Sequence, residues 1–313
     1  MADIQLFRLQ ADSVIELGSH SAALERNLQA LVETHMETFL GVRFLATEYT
    51  TGKTHRGRID SLGLDENDCP VIIEYKRHSK ENVINQGLFY LDWLLDHKAE
   101  FRWLVMEKLG KDVADAVEWE GTRLICIAAD FTKYDQHAVQ QIPRNIELIR
   151  YKHFGTELLL LELVNTQTSV DAKPISANVM KPGPENSAED VPKPVSKDKS
   201  FIEQMALAHE DIRALYGELS SFLYSLGDDV TEKQLHLYMA FKKLKNFAAV
   251  VPKANRLQVY LKLAPGSVAL ETGFSRDVSN VGHWGTGDVE LILNTVADLE
   301  KAKPLLERAY QEG

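Results

Sequence analysis

The sequence predicts an α/β protein with a second, smaller α+β domain. The chain has 313 residues, a length that suits two domains of ordinary size. Residues 166–200 lose the periodic apolar positions and carry prolines at 174, 182, 184, 192 and 194, a composition typical of a flexible linker. Amphipathic helices and apolar strands lie on both sides of it. We therefore assign residues 1–165 to the α/β domain and residues 201–313 to the α+β domain.

Hydrophobic periodicity predicts the elements of the first domain. Ser21–Phe39 is an amphipathic helix, because Leu24, Leu28, Leu31 and Val32 share one stripe. The elements that follow are strands Val42–Tyr49, Arg56–Leu64 and Val71–Tyr75, a helix over Glu81–His97, a helix within residues 101–115, and strands Arg123–Ala129, Ile146–Tyr151 and Glu157–Val164. The order of the core is α-β-β-β-α-β.

The second domain is predicted to begin with a helix over Phe201–Leu226. The later elements are a helix or strand–helix piece around Gln234–Phe241, strands Leu257–Leu263 and Ser267–Glu271, and a long helix over Asp288–Ala309 that is broken near Pro304.

Composition limits the class of protein. Apolar residues make up 44% of the chain and charged residues 26%, as in soluble globular proteins. We expect no membrane partner and no secretory signal, since no apolar run can span a bilayer and the first residues lack a basic region followed by an apolar core. The two cysteines, Cys69 and Cys126, have no metal-ligand spacing and suit a reducing cytoplasm.

Charges interrupt the apolar strand Val71–Tyr75 where it ends. Side chains alternate along a strand, so Glu74 and Lys76 point to the same face. Asp60 lies within the preceding strand, and pairing of the two strands through the turn Asp65–Asp68 would bring Asp60 close to Glu74. Two converging carboxylates bind a hard divalent cation such as Mg²⁺ or Mn²⁺. Such an ion polarises a phosphodiester, and Lys76 can position water or offset charge on the phosphate.

These residues resemble the PD-(D/E)XK nuclease superfamily, with Asp60 followed by Glu74-Tyr75-Lys76 as the E-x-K element. Gln86-Gly87-Leu88-Phe89-Tyr90 is similar to the Q-x-x-x-Y element of RecB-like nucleases, and Glu25 matches the acid of the first helix. The resemblance covers about residues 20–130 and is nearest to bacterial proteins with a NucS-like endonuclease core. One departure is Ile59, which precedes Asp60 where the pattern has proline.

The resemblance implies a restriction-endonuclease-like αβββαβ core and a metal-dependent endonuclease acting on DNA in the cytoplasm, in repair or in defence. Asp60, Glu74 and the backbone carbonyl of Tyr75 would hold the cation, Lys76 would orient the attacking water, and Glu25 and Gln86 would complete the pocket. Many nucleases of this fold act as dimers, so a homodimer stays open.

The C-terminal domain resembles DUF5655, on the segment Gly282–Asp288 and the closing Asp298–Tyr310 segment. It would supply recognition of the substrate or of a protein partner. A stretch with six basic residues favours contact with nucleic acid: Lys242, Lys243, Lys245, Lys253, Arg256 and Lys262. The apolar residues between them, however, are typical of a buried core.

Two other interpretations remain. The chain has a formal net charge of −11, and residues 1–165 carry 18 Lys and Arg against 26 Asp and Glu, which does not favour a nucleic-acid partner. In one, the first domain keeps the nuclease fold without turnover and binds nucleic-acid ends or a protein partner, although it keeps Asp60, Glu74 and Lys76. Alternatively, the C-terminal domain could be the active part, binding a small ligand or a protein near Gly282–Asp288.

Overall fold

The computed structural model describes residues 4–10, 13–20, 25–52, 57–76, 83–155, 157–167, 199–283 and 285–313. The chain divides into two compact units, Met1–Asp171 with Leu244–Asn246, and Ala172–Lys243 with Phe247–Gly313. The predicted fold class is confirmed, since the first unit is a mixed α/β domain and the second is a smaller α+β domain. Most of the predicted linker, residues 168–198, lies outside the described residues. Within the described residues, no helix has both the length and the apolar character that a membrane crossing needs.

The first unit is built around a mixed sheet in the order β3-β8-β7-β6-β5-β4, with β9 paired to β8. The strands of this unit are β1 (Leu6–Gln10), β2 (Ser13–Leu17), β3 (Ser19–His20), β4 (Val42–Thr50), β5 (Arg58–Asp65), β6 (Pro70–Lys76), β7 (Arg123–Ala128), β8 (Asn145–Phe154) and β9 (Leu158–Gln167). Strands β1 and β2 pair with each other in a separate two-stranded sheet. Its helices are α1 (Glu25–Thr34), α2 (Met36–Leu40), α3 (Val83–Asp96), α4 (Lys98–Leu109), α5 (Lys111–Asp115) and α6 (Lys133–Val139). Strands β4, β5 and β6 are antiparallel, whereas β6, β7 and β8 run parallel.

Helices cover both faces of this sheet, which explains why its central strands are apolar throughout. Alternation along β6 sends Ile72 to the face packed by α3 and α4, and sends Val71 and Ile73 to the face packed by α1 and α2. Helix α3 approaches closely because Gly87 has no side chain, and a Cβ there would lie 2.5 Å from a methyl carbon of Leu124.

The α-β-β-β-α-β order appears as predicted, with changes at the helices. The predicted helix Ser21–Phe39 is divided at His35 into α1 and α2, and its residues 21–24 lie outside the described part. The predicted helix within 101–115 is divided at Gly110, whose φ of +96° cannot continue a helix. Helix α6 and the strands β1, β2 and β3 were not predicted.

The second unit is a six-stranded sheet in the order β10-β11-β12-β13-β15-β14, with helices against one face. Its strands are β10 (Thr231–Gln234), β11 (Met239–Lys242), β12 (Asn246–Lys253), β13 (Arg256–Leu261), β14 (Ser275–Asp277) and β15 (Val289–Leu293). Its helices are α7 (Phe201–Leu207), α8 (Glu210–Ser225) and α9 (Val296–Glu312).

Three predictions for this unit were wrong. The segment around Gln234–Phe241 contains no described helix, because it runs from the last residue of β10 through a short connection into β11, and these two strands pair. Ser267–Glu271 is not a strand, since a 3₁₀ turn at Pro265–Ser267 precedes irregular chain there. Asp288–Ala309 holds a strand and a helix, and α9 continues through Pro304. The predicted helix Phe201–Leu226 is divided at Ala208 and His209.

Candidate active site

Asp60 and Glu74 meet where β5 and β6 separate. The last pair in the ladder between these strands is Ser61 with Ile73, and Asp60 and Glu74 come next. The amide of Asp60 donates to Oε1 of Glu74 at 3.1 Å, and the amide of Tyr75 donates to Oδ2 of Asp60 at 3.0 Å. The structure thus brings together the two carboxylates that the strand pattern singled out.

Glu74 is a buried acid with an unusual environment. Its side chain is fully buried, and its Oε2 has no hydrogen-bond partner among the described residues. Burial, and after it the neighbouring charge of Asp60, raise the pKa of Glu74 to about 9. Without a cation the carboxyl therefore carries a proton at neutral pH.

Lys76 is the last residue of β6 and is half-buried. It shares a face of the strand with Glu74, because their positions differ by two. The positive charge of Lys76 acts to lower the pKa of Glu74, although burial outweighs that effect. An acid and a base thus stand on one face at the end of an apolar strand.

Helix α3 supplies Gln86 and Tyr90, which lie one turn apart. The amide of Gln86 donates to the hydroxyl of Tyr90 at 3.2 Å, and the amide of Arg58 donates to the same hydroxyl at 3.2 Å. Tyr90 is 6% exposed, so this hydroxyl fastens α3 to the first residue of β5. The hydrogen bond that the structure gives Gln86 is to Tyr90 and not to either carboxylate.

Helix α1 contacts β5 through residues that the sequence argument missed. Glu25 is the first residue of α1, and its side chain lies outside the described part of the chain. The acid that reaches β5 is Glu33, whose Oε1 accepts from the hydroxyl of Ser61 at 2.6 Å and from Nε2 of Gln29 at 3.0 Å. One feature of the sequence could have indicated this contact: the polar residue Gln29 lies next to the apolar stripe of the predicted helix.

A cleft of about 360 Å³ lies beside these residues of α1. It is lined by Gln29, Ala30 and Glu33 of α1 and by Thr47 and Glu48 of β4. Two carboxylates make this wall of the domain acidic, so it does not offer a favourable surface to a phosphate backbone.

Basic residues also flank β5 and β6 in the sequence. Arg56, Arg77, His78 and Lys80 lie outside the described residues. Arg58 is exposed and forms an ion pair with Glu48.

The donors present fit a hard divalent cation. Asp60 and Glu74 contribute carboxylate oxygens, which Mg²⁺ and Mn²⁺ prefer. The buried Oε2 of Glu74, which no described residue hydrogen-bonds, is the kind of atom that a cation satisfies. Among the described residues no group of three or more His, Cys, Asp or Glu could hold a metal ion, so a site here would need the predicted carbonyl of Tyr75, water or substrate oxygens as well.

In the second unit, the loop that contains Gly282–Asp288 packs on its own sheet. Trp284 lies outside the described residues. A Cβ at Gly285 would lie 2.6 Å from that of Ala249, and one at Gly287 would lie 2.4 Å from the backbone of Leu261. These glycines have φ values of +95° and +129°, so their role in packing the loop is sufficient reason for their presence.

Two lysines of the basic stretch contact helices of the second unit. Lys243 donates to the carbonyl of Tyr310 and lies over its ring, and Lys253 donates to Oε1 of Gln204 at 3.3 Å. These contacts favour the interpretation that the stretch belongs to the packed structure of the second unit and is not a surface for nucleic acid.

Residues 202–313 match the family model described as a domain of unknown function, DUF5655. This match confirms the resemblance noted for the C-terminal segment, and the DUF5655 domain is the α+β unit described above. An uncharacterized protein of Haemophilus influenzae is 26% identical to this chain over 314 residues, and the match covers 99% of this chain and 100% of the relative.

A solved structure of an EndoMS–dsDNA2 complex is also similar to part of the chain, at 15% identity and a TM-score of 0.25. The match covers 47% of this chain and 64% of that chain, so it spans less than two thirds of the EndoMS length.

Proposed function

We propose that the first domain is a metal-dependent nuclease that hydrolyses phosphodiester bonds in DNA, as an endonuclease. The observation that carries the proposal is the meeting of Asp60 and Glu74 at the end of β6, where Oε2 of Glu74 is buried and has no hydrogen-bond partner within the part of the chain that the structure describes. The order Asp60, Glu74-Tyr75-Lys76 and Gln86–Tyr90, which resembles PD-(D/E)XK nucleases, supports it. DNA as substrate follows from this resemblance.

The residues of the site have distinct roles in this proposal. Asp60, Glu74 and the carbonyl of Tyr75 would hold Mg²⁺ or Mn²⁺, and that ion, when bound, activates water and polarises the phosphodiester. Lys76 orients the attacking water and offsets the charge that develops on the phosphate. Gln86 and Tyr90 fix the α3 side of the pocket through their shared hydrogen bond. Glu25, the acid at the start of α1, would complete the pocket.

The biological setting is part of the same proposal. Cys69 and Cys126 are both buried free thiols, which is compatible with a reducing cytoplasm. The DUF5655 domain would recognise the substrate or a protein partner, and the nuclease would act in repair or in defence.

A binding module without turnover is the second candidate. It would use the same pocket to bind nucleic-acid ends or a protein partner, and the formal net charge of −11 favours a protein partner over nucleic acid. The two candidates differ in whether Glu74 and Lys76 are needed for turnover or only for binding.

The test is cleavage of single-stranded DNA, duplex DNA, branched DNA and RNA in Mg²⁺, Mn²⁺ or EDTA. We expect metal-dependent cutting by the wild type, lowered about 100-fold or more by Glu74→Gln and by Lys76→Met, because each removes an electrostatic group from the reacting centre. Matched controls are Glu107→Gln and Lys108→Met, which change exposed residues of α4. Cutting that survives EDTA or both site variants would exclude this site, whereas binding without any cutting would favour the second candidate.

A further inference from the structure

Both main-chain polar groups of Asp60 are bonded by side chains. Its amide donates to Oε1 of Glu74 at 3.1 Å, and its carbonyl accepts from Nε2 of Gln29 at 2.9 Å. The ladder between β5 and β6 ends at Ser61, so these bonds hold Asp60 where the strand leaves its neighbour. The position of Asp60 therefore depends on a residue of α1.

Strand β4, which pairs with β5 on the side away from β6, is also irregular near Asp60. Strand β4 pairs Thr47 with Ser61 and Tyr49 with Ile59. The residue between them, Glu48, has a φ of +51°, a left-handed conformation that is uncommon for a side-chain-bearing residue in a strand. A side chain from α1 thus reaches the Asp60 carbonyl beside an irregular stretch of β4.

Gln29 is built into this place. It is 8% exposed, and its Nε2 also lies 3.0 Å from Oε1 of Glu33, 3.3 Å from Oγ1 of Thr47 and 3.5 Å from Oε1 of Glu48. The carbonyl and the carboxylates among these partners can only accept, so the side chain must present its nitrogen. The two shortest contacts join β5 to α1 through one amide group.

We infer that Gln29 is a positioning residue for the proposed metal site, holding Asp60 through its carbonyl so that its carboxylate stays against Glu74. This inference rests on the proposed function. Without the amide of Gln29, the Asp60 carbonyl loses that donor, and the end of β5 is held less firmly. Residues that orient metal ligands from behind typically contribute 10- to 100-fold to metal affinity or activity.

The experiment measures Mn²⁺ binding to the full chain by calorimetry, well below the melting temperature. Gln29→Met keeps the length of the side chain and removes both donors, whereas Gln29→Glu keeps the shape and is a second variant if the first does not fold. Gln141→Met, which changes an exposed residue, is the matched control, and Glu74→Gln defines loss of the site.

We expect the Kd for Mn²⁺ to rise at least 10-fold in Gln29→Met and Gln29→Glu and to stay unchanged in Gln141→Met. The Mn²⁺ concentration that gives half-maximal cleavage should rise in parallel, while KM for DNA stays the same. A Gln29 variant that melts earlier but binds Mn²⁺ within twofold of the wild type overturns the inference and leaves the nuclease proposal intact. Failure of the wild type to bind Mn²⁺ in a manner sensitive to Glu74→Gln overturns both.

Discussion

At the scale of single residues, the buried acid Glu74 makes stability depend on pH. Its pKa is raised from 4.5 to about 9 in the folded protein, so between these values the folded state holds a proton that the unfolded state has lost. The resulting stabilisation is fully present below pH 4.5 and is lost as pH rises toward 9. A single such group changes the free energy of unfolding by at most about 1.4 kcal/mol per pH unit.

Glu74→Gln should therefore become more stable than the wild type as pH rises from 5 to 9 in EDTA. The amide can still accept from the amide of Asp60, and it cannot ionise. Denaturant melts at pH 5.5, 7 and 8.5 measure the difference, with Glu107→Gln as the control. A difference that does not change with pH would show that Glu74 is not the titrating group. Added Mg²⁺ should stabilise the wild type at pH 8.5 but not the variant.

The meeting of Asp60 with Glu74 could be predicted from the sequence because it depends on local rules. A short acidic turn joins two strands, and alternation along the strands then determines which side chains share a face. The contacts of Gln29, Glu33 and Tyr90 could not be predicted in this way. They join a helix to a strand about 30 residues distant in the chain, so they depend on how the helix packs.

At the scale of elements, the misassigned segment Asp288–Ala309 contained a usable signal. Thr295 is the N-cap of α9, and its side chain and that of Asp298 form a capping box. Val289, Leu291 and Leu293 alternate before it and form the buried apolar positions of β15. The boundary between strand and helix was therefore present in the sequence, but the apolar residues on both sides gave one continuous pattern.

Pro304 in α9 gives a prediction for the DUF5655 domain. It is exposed within an unbroken helix, where proline removes a hydrogen bond and costs about 3 kcal/mol relative to alanine. Part of the gain from Pro304→Ala is offset, because the substitution increases the conformational entropy of the unfolded chain, which stabilises the unfolded state by about 0.4–1 kcal/mol. We expect a net stabilisation of about 1–3 kcal/mol in chemical denaturation. Glu307→Ala, at another exposed position of α9, is the control, and equal effects of both changes would show that Pro304 causes no strain.

At the scale of the whole molecule, each unit has a core of its own. The buried apolar cluster of the DUF5655 domain comes wholly from residues 201–309, whereas the two clusters on the sheet of the first domain come from residues 45–148 and 28–151. A domain with its own core can fold without its neighbour. The proposed catalytic residues, Asp60, Glu74 and Lys76, all belong to the first domain.

Cutting the chain between the domains should therefore leave cleavage of DNA with the N-terminal part. A protease site inserted between residues 172 and 198 allows the full chain to be purified before it is cut, so each part has folded in its normal context. We expect the separated N-terminal part to keep metal-dependent cleavage of short DNA, and the DUF5655 part to have none, because it lacks Asp60 and Glu74. Loss of substrate preference in the N-terminal part alone would assign recognition to the DUF5655 domain. Cleavage that follows the DUF5655 part, including a part prepared from the Glu74→Gln chain, would instead place the activity in that domain.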